Sequence, residues 1–334
     1  RNLKPLVAFN TVEGFELFSE LIKKIKHLPM LKDLNIEIFA YNPGQYIGAD
    51  TKYTRKLFTS RYEARAPSLV FWIDDVKDNE IILRTRDGRN FKVKKDKAVC
   101  SLRTYAGVKH MDLTNEEEFA IIDPNAIPKE IREITGLINS EKLNKACKDI
   151  REAYKDHAGN ILLGRKIQLD KIYYSAYFSD NNVIGTTSAM LNIRTNLSHN
   201  LALALVLYLN SSLTYIQLLA LLSEVRGLWV TLHDKPIWSL IHVPDFNNLE
   251  ASIIEKAVML FRDIGKTNVK TFYQRIKENS MKMLGVDFDL DKIYDAIIAE
   301  IEVLKEIMKR TSRSRSRGSR SEESESCQVT LDEL

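Results

Sequence analysis

The sequence predicts an α+β fold in three stretches: a mixed α/β N-terminal part carrying a basic β-hairpin, a unit of short strands closed by a helix pair, and a C-terminal helical segment running out into a disordered tail. Three observations predict it. Residues 80–95, EIILRTRDGRNFKVKK, alternate apolar and polar residues about Asp87-Gly88, a strong short-range hairpin signal. Residues 198–246 form the most apolar stretch and break in order: a Leu-rich run, Asn210-Ser211-Ser212, a second apolar run, Gly227, and a β-like segment closing at Pro244. That reads as two core helices followed by a strand pair. Beyond Asn248 apolar residues return at helical spacing. The parts expected are 1–125, a helical connector at 126–160, a core unit at 161–246, a helical segment at 247–310 and a tail at 311–334.

At 334 residues the chain has the length of about two domains of roughly 150 residues. With 44% hydrophobic and 28% charged residues it can bury a sizeable core. A net charge of +4 suits a phosphate-bearing partner without requiring one. Cys100, Cys147 and Cys327 are far apart, odd in number and lack Cys-x-x-Cys spacing, which argues against a disulfide framework or zinc site and for the reducing cytoplasm. The chain begins at Arg1, with strand-like Leu6-Val7-Ala8-Phe9 and no signal-peptide layout, as the downstream part of a longer polypeptide would. Residues 201–222 alone approach the roughly 20 apolar residues of a membrane span. Asn210, Ser211, Ser212, Thr214 and Gln217 interrupt them, so a buried helix pair and no membrane are expected.

In order, residues 4–10 read as a strand, and 12–27 as a helix on the spacing of Phe15, Phe18, Leu21, Ile22 and Ile25, ended by Pro29. A second strand at 34–41 stops at the turn Asn42-Pro43-Gly44. From 52 to 65, Lys52, Arg55, Lys56, Arg61 and Arg65 interleave with Tyr53, Phe58 and Tyr62. Cations for phosphate beside rings for bases make a nucleic-acid surface; a solvated face with buried ring edges has the same composition, and both readings stay open. Residues 68–73 form a buried strand. The hairpin concentrates Arg84, Arg86, Arg89, Lys92, Lys94 and Lys95, which serves a phosphate backbone or guards an exposed edge. In residues 99–112, Arg103, Tyr105, Lys109 and His110 surround Ala106-Gly107 on a loop after a strand, where donors and an aromatic read base edges. His110 has no second His or acidic partner at ligand spacing, so a surface or packed histidine is the plainer reading.

Pro124 and Pro128 mark a boundary, and 129–158 is a charged helical stretch interrupted near Gly136 and Asn139-Ser140. Gly164-Arg165-Lys166 precede an aromatic strand at 172–178, and Gly185-Thr186-Thr187-Ser188 with 191–194 continue a hairpin-like pattern. After the helix pair, 248–263, 269–283 and 291–310 are amphipathic helices. Residues 311–334 alternate Arg with Ser, turn acidic from Glu322 and have little to bury.

Leu207-Tyr208-Leu209-Asn210-Ser211-Ser212-Leu213, a second helix, Gly227, His233-Asp234-Lys235 and Ile241-His242-Val243-Pro244 together resemble the C-terminal target-recognition (specificity) region of adenine-specific DNA methyltransferases, of the TaqI-like and type IIG restriction-modification group. In that family an L-N-S helix pair and a short strand unit build the target-recognition domain, across the DNA from the catalytic domain. Gly164-Arg165, the aromatic strand and Gly185-Thr186-Thr187 fit the segment leading into it, so the resemblance covers roughly residues 160 to 310. It implies sequence-specific recognition of double-stranded DNA. The family's catalytic part needs a Gly-containing turn for S-adenosylmethionine and an Asn-Pro-Pro-Tyr or Asp-Pro-Pro-Tyr loop that holds the adenine amino group and stacks on the flipped base. This chain has no Pro-Pro and no Gly-x-Gly turn after a strand. No catalytic, cofactor-binding or metal residue is therefore expected here, and S-adenosylmethionine is expected on a catalytic methyltransferase part upstream of Arg1 or on a partner chain. A metal-dependent nuclease does not fit either: Asp74-Asp75 lead to Glu80-Ile81-Ile82 without the required Lys.

The expected DNA contacts are Arg84, Arg86, Arg89, Arg103, Tyr105, Lys109, His110, Arg165, Lys166, Arg194 and Arg226, some holding phosphates and some reading base edges. Arg226, beside Gly227 and Trp229, equally fits a structural cation at a helix C-terminus, and Trp229 and Trp238 are read as core. The alternative is a non-enzymatic nucleic-acid-binding or scaffold protein, an RNA binder using the aromatic strand near Tyr173. In the tail, Gln328, Leu331 and Leu334 have the spacing of a sliding-clamp-binding peptide without its final aromatic; a plain polar terminus accounts for the same residues.

Overall fold

The computed structural model describes residues 10–62, 68–103, 108–168, 174–186, 190–221, 224–226, 229–231, 235–246, 248–267 and 290–318. The strand expected at 4–10, the helix at 269–283 and the tail from 319 lie outside these residues.

Helix α1 (Val12–Ile25) starts at Thr11, whose hydroxyl accepts from Gly14 N at 3.1 Å, and buries Phe18, Leu21 and Ile25. A 3-10 turn (Leu31–Leu34) and a left-handed Asn35 lead into β1 (Ile36–Phe39). The Asn42-Pro43-Gly44 turn forms as expected. Gly44 has φ +86°, and a Cβ there would lie 2.6 Å from Thr51 Cα, so this turn requires glycine. The helices that follow are α2 (Thr51–Lys56), α3 (Lys129–Thr135) and α4 (Ser140–His157), the last two separated at Gly136, φ +67°, where the sequence placed the break. Buried Asp149 of α4 fixes the turn by accepting from Tyr41 Oη (2.8 Å), Gly44 N (3.0 Å) and Ile47 N (2.9 Å).

Strands β2 (Thr59–Ser60), β3 (Phe71–Val76), β4 (Glu80–Thr85) and β5 (Asn90–Lys94) form a four-stranded sheet containing the expected hairpin, with Gly88 at φ +85° in its turn. A six-stranded sheet is built from β1, β6 (Ala98–Leu102), β7 (Glu118–Ile121), β8 (Gly159–Gly164), β10 (Ala176–Gly185) and β11 (Met190–Thr195), in the order β1-β11-β8-β10-β6-β7. The hairpin-like pattern expected at 185–188 and 191–194 falls partly on residues outside the described ones, and in the sheet β10 and β11 are separated by β8. Its GNILLG run is buried almost throughout, which favours a strand paired on both edges. Gly159 permits the approach: a Cβ there would lie 1.9 Å from the Ile193 carbonyl oxygen. Strand β10 bulges between Phe178 and Val183, then lies parallel to β6. A bridge from Tyr41 to Thr186 brings the end of β1 beside the end of β10, so the sheet curls back on itself.

Helices α5 (His199–Leu209) and α6 (Ser212–Ala220) are the expected pair, bent by 59° at the polar break and buried. Among the described residues no single helix is long and apolar enough to cross a membrane. Asn210 Oδ1 accepts from Ser175 N (2.8 Å) and Ala176 N (3.2 Å), while its Nδ2 donates to Ala176 O (2.8 Å) and Val206 O (2.9 Å). Gln217 Oε1 accepts from His242 N at 2.8 Å, and Tyr208 Oη donates to His242 O at 2.7 Å. The polar residues that interrupt the apolar run therefore tie the pair to β10 and to the Ile241–Pro244 segment.

The strand pair after it is present as β12 (Glu224–Arg226) and β13 (Trp229–Thr231), joined by β9 (Lys166–Gln168) into a third sheet. The β-like segment expected to continue to Pro244 turns helical instead at α7 (Lys235–Ser239), where Pro236 in the first turn favours a helix start. Trp238 is core, as read, and donates from Nε1 to Gly164 O at 3.2 Å. Helix α8 (Ala251–Ile264) matches the expected 248–263, and α9 (Leu290–Gly318) runs past Arg310 into the Arg/Ser run expected as tail, arginine being a good helix former.

One hydrophobic core gathers α1, β8, β10, β11, α5, α6, α8 and α9; a second gathers β3, β4, β5, β7, α3 and α4. The stretch expected as a connector, 126–160, lines that second core with Leu143, Ala146, Cys147 and Ile150. Apolar residues at that spacing need a surface to cover, and α2 together with β10 and β11 of the six-stranded sheet supplies it for α4. The six-stranded sheet takes strands from both sides of the boundaries expected at 125 and 160.

Candidate nucleic-acid interface

Helix α2 carries two cations in its last turn, Arg55 and Lys56, and they face different hollows. Asp50 caps the helix, its carboxylate accepting from Lys52 N at 2.9 Å, and Lys142 of α4 donates to the same carboxylate at 3.0 Å. That lysine holds the Asp50 carboxyl below its ordinary value. The helix is thereby pinned to α4 at its start and presents its cations at its end.

The hollow on the Arg55 side has a volume of 140 Å³ and is lined by Asn42, Arg55, Phe58, Ser68, Arg103 and Thr186. These residues meet because three chain segments end together. Strands β6 and β10 run parallel, Tyr41 pairs in parallel with Thr186, and so Arg103, Thr186 and Asn42 follow the carboxyl ends of their strands on one side of the sheet. Crevices outside the carboxyl ends of parallel strands are a recurrent place for ligands. Thr186 Oγ1 donates to Arg103 O at 2.9 Å, and Arg103 Nη2 donates to Ser68 Oγ at 2.6 Å. Behind Arg103 sits the buried Glu118, which accepts from Ser60 Oγ (2.6 Å), Arg103 N (3.0 Å) and Arg61 N (3.3 Å). Burial raises the Glu118 carboxyl and lowers the Arg103 guanidinium; Glu118 offsets the second shift and Arg55 adds to it.

On the Lys56 side a larger hollow of 410 Å³ lies against Val70, Thr85, Arg86, Asp87 and Ile134. Lys56 Nζ donates to Thr135 O at 2.7 Å, at the end of α3. The hairpin strand β5 buries Phe91 and Val93 and turns Asn90, Lys92 and Lys94 outward. The guanidinium groups of Arg84 and Arg86 each lie 5.9 Å from the Trp72 ring, and Arg84 Nε is 3.0 Å from Asp74. Arg103 and Arg55 thus meet at one hollow, Lys56 and Arg86 at the other, and Arg84 joins Arg86 at Trp72, a stripe that crosses α2 and draws on three separate parts of the sequence.

Of the residues singled out from sequence, Arg84 and Arg86 meet at Trp72, Arg103 lines the other hollow, and Arg89 at the hairpin tip is paired to Asp87 at 3.1 Å. Tyr105 lies outside the described residues. Lys109 is exposed. His110 does have an acidic partner, against the sequence reading: its Nδ1 is 2.7 Å from Glu116, which Lys266 also approaches at 3.4 Å. That pair spans a loop without periodicity, which spacing rules do not reach. Arg165 is half-buried between β8 and β9. Arg194 stands at a separate hollow with Lys155 and Asn160, its Nη1 3.5 Å from Asp156 O. Lys166 and Arg226 belong to the β12-β13-β9 sheet, Arg226 on a strand paired with Trp229 rather than at a helix end. Among the rings of the 52–65 stretch, Phe58 is fully buried and Tyr53 Oη accepts from Asn139 N at 3.3 Å, so these serve the fold rather than stacking. Sequence reasoning left Arg55 and Lys56 in an undecided stretch and missed Asn42 and Thr186. Their signal was positional only, the residue after each strand end.

No group of three or more His, Cys, Asp or Glu side chains that would hold a metal occurs among the described residues. Burial pushes the thiol of Cys100 up to about 11 and that of Cys147 to about 12, so neither is a ready nucleophile.

No protein-family model and no curated protein matches the chain. Among solved structures, the type IIG restriction endonuclease BpuSI is similar in fold, with a TM-score of 0.50 at 13% identity over 89% of this chain. The likeness spans 33% of the length of that enzyme.

Proposed function

We propose that this chain is the DNA-specificity part of an adenine-specific, amino-group DNA methyltransferase in a restriction-modification system, with catalysis and S-adenosylmethionine on a methyltransferase part outside it. The observation carrying this reading is the fold likeness of nearly the whole chain to a third of a type IIG restriction endonuclease. The basic stripe supports it: Lys56 and Arg86 line one hollow, Arg55 and Arg103 the other, and Arg84 lies beside Arg86 at Trp72, so cations suited to phosphate flank both sides of α2. Arg89, Tyr105, Lys109, His110, Arg165, Lys166, Arg194 and Arg226 complete the set of proposed contacts. Cations along the stripe hold the duplex in register, and polar side chains on the loops beyond the strand ends read base edges in the major groove.

The test is fluorescence anisotropy on duplex libraries across a salt series, with the methyltransferase part added. The expected result is salt-dependent binding with one preferred short sequence, in which log affinity falls by about 0.9 per phosphate contact for each unit of log salt. Salt-dependent binding with no preferred sequence would sink the specificity reading, and preference for single-stranded RNA would favour an RNA binder.

A further inference from the structure

At the end of α4 lies a hollow of 280 Å³ lined by asparagines from three strands: Asn160 near the start of β8, Asn182 in the bulge of β10 and Asn196 just past β11. Within the sheet, by contrast, the Asn192 amide is engaged by the fold, bonded to the Gly185 backbone at 2.6 and 3.1 Å. Among the described residues the side-chain amides of Asn160, Asn182 and Asn196 make no hydrogen bond, and each keeps an acceptor and two donors for a ligand. The walls are fixed. Ile161 pairs with Ile193, which makes Asn160 and Arg194 the next residues out on neighbouring strands. Tyr154 Oη donates to Asn182 O at 2.9 Å, tying the bulge to α4, and Leu197 N donates to Thr195 Oγ1 at 3.0 Å in the turn that carries Asn196. Lys155 and Arg194 border the hollow, and their surroundings are negative. The carboxyl end of a helix carries about half a negative charge. Lys155 lies in the last turn of α4, Arg194 Nη1 is 3.5 Å from Asp156 O of that turn, and Glu37 is the register partner of Arg194. The two cations therefore answer local charge, and what the hollow offers a ligand is neutral donors and acceptors. Its volume is at the small end of ligand pockets, which run from roughly 300 Å³ upward, and gives room for one planar ring.

From this we propose that the hollow is a base-reading site: the amides of Asn160, Asn182 and Asn196 hold the edge of one adenine. An asparagine amide pairs bidentately with adenine, donating to N7 and accepting from the N6 amino group, and it rejects guanine, which has an acceptor in place of that amino group. Both atoms are open in the major groove of a duplex and on an unpaired adenine, so the chemistry is the same for either source. The paired source rests on the duplex-DNA reading of the chain, while the hollow and its amides do not.

The test replaces single adenines by 7-deaza-adenine, which lacks N7, and measures binding to the full chain by fluorescence anisotropy for wild type, Asn160→Ala, Asn182→Ala and Asn196→Ala. Asn182 and Asn196 are exposed, so their variants should melt with wild type. In the preferred duplex, one adenine position should lose about fivefold or more in wild type and nothing further in at least one variant, whose salt slope stays that of wild type. The same coupling seen only in a duplex carrying one unpaired adenine supports the site with an extruded base as its occupant. No loss with 7-deaza-adenine, or a loss equal in wild type and all three variants, in paired and unpaired duplexes alike, overturns the site. A wild type without a preferred duplex overturns the specificity reading instead, and the unpaired duplex then decides the hollow by itself.

Discussion

In the bent helix pair the polar side chains at the break face inward. Asn210, Ser211, Thr214 and Gln217 are all buried, and the hydrogen bonds of Asn210 and Gln217 run to Ser175, Ala176 and His242. At the hairpin turn of the four-stranded sheet the charged side chains face outward: Arg86, Asp87 and Arg89 are exposed, with Asn90, and Arg84 is half so. The first region carries the family resemblance and is occupied entirely with holding itself to the sheet. The second has no distinctive wording and carries the charge. Side chains that brace the fold are hard to change whereas exposed charges tolerate change, so the buried pair is the part whose wording stands out in the sequence.

Substitutions should separate the two regions by stability and by duplex binding. The largest effect is expected from Asn210→Leu, which keeps the bulk and strands the Ser175 and Ala176 N–H groups, a loss of about 4 kcal/mol at roughly 2 each. Urea denaturation measures it, and a loss under 1 kcal/mol would break the contrast. Gly159→Ala comes next: its Cβ meets the backbone oxygen of Ile193, which cannot give way cheaply, and about 3 kcal/mol should be lost on the same assay.

Asp50→Ala lies between the regions. Losing the cap of α2 should cost about 1 kcal/mol near neutral pH. Because the Asp50 value is lowered on folding, its contribution is present above the ordinary carboxylate value and is lost as pH falls through the lowered one, so the two proteins should converge in acid. The same variant should weaken duplex binding by loosening Arg55 and Lys56. The smallest change in stability is expected for Arg86→Gln, less than about 1 kcal/mol, since Arg86 is an exposed cation beside the Trp72 ring. Its duplex affinity should nonetheless fall. Equal affinity for wild type and Arg86→Gln would remove the hairpin from the proposed interface.

How much of this was legible in sequence depended on distance along the chain. The hairpin was read because Asp87-Gly88 and the alternation beside it are adjacent, and α3 and α4 because Gly136 and Asn139 punctuate a helical period. The helix pair was read from its apolar runs. The insertion of β8 between β10 and β11 was not, since buried strands all read as short apolar runs and nothing in GNILLG names its neighbours. The crevice was invisible for the same reason: Asn42, Arg55, Arg103 and Thr186 converge through a parallel pairing and a single bridge. Arg103 was singled out as a loop cation after a strand, yet its companion Arg55 gave no sign of which way α2 would point it.

Glu300 of α9, almost fully buried, accepts from the backbone N–H groups of Asn10 (2.8 Å) and Thr11 (3.1 Å) and from the Thr11 hydroxyl at 3.0 Å. Its partners lie 289 and 290 residues away, so forming this seam closes nearly the whole described chain into one loop. Contacts of such separation reward folding only after nearer ones have collapsed the chain between them. Asn10 and Thr11 are held by one carboxylate whereas β8 is paired on both edges, so amide hydrogen exchange should find the seam opening more readily than β8.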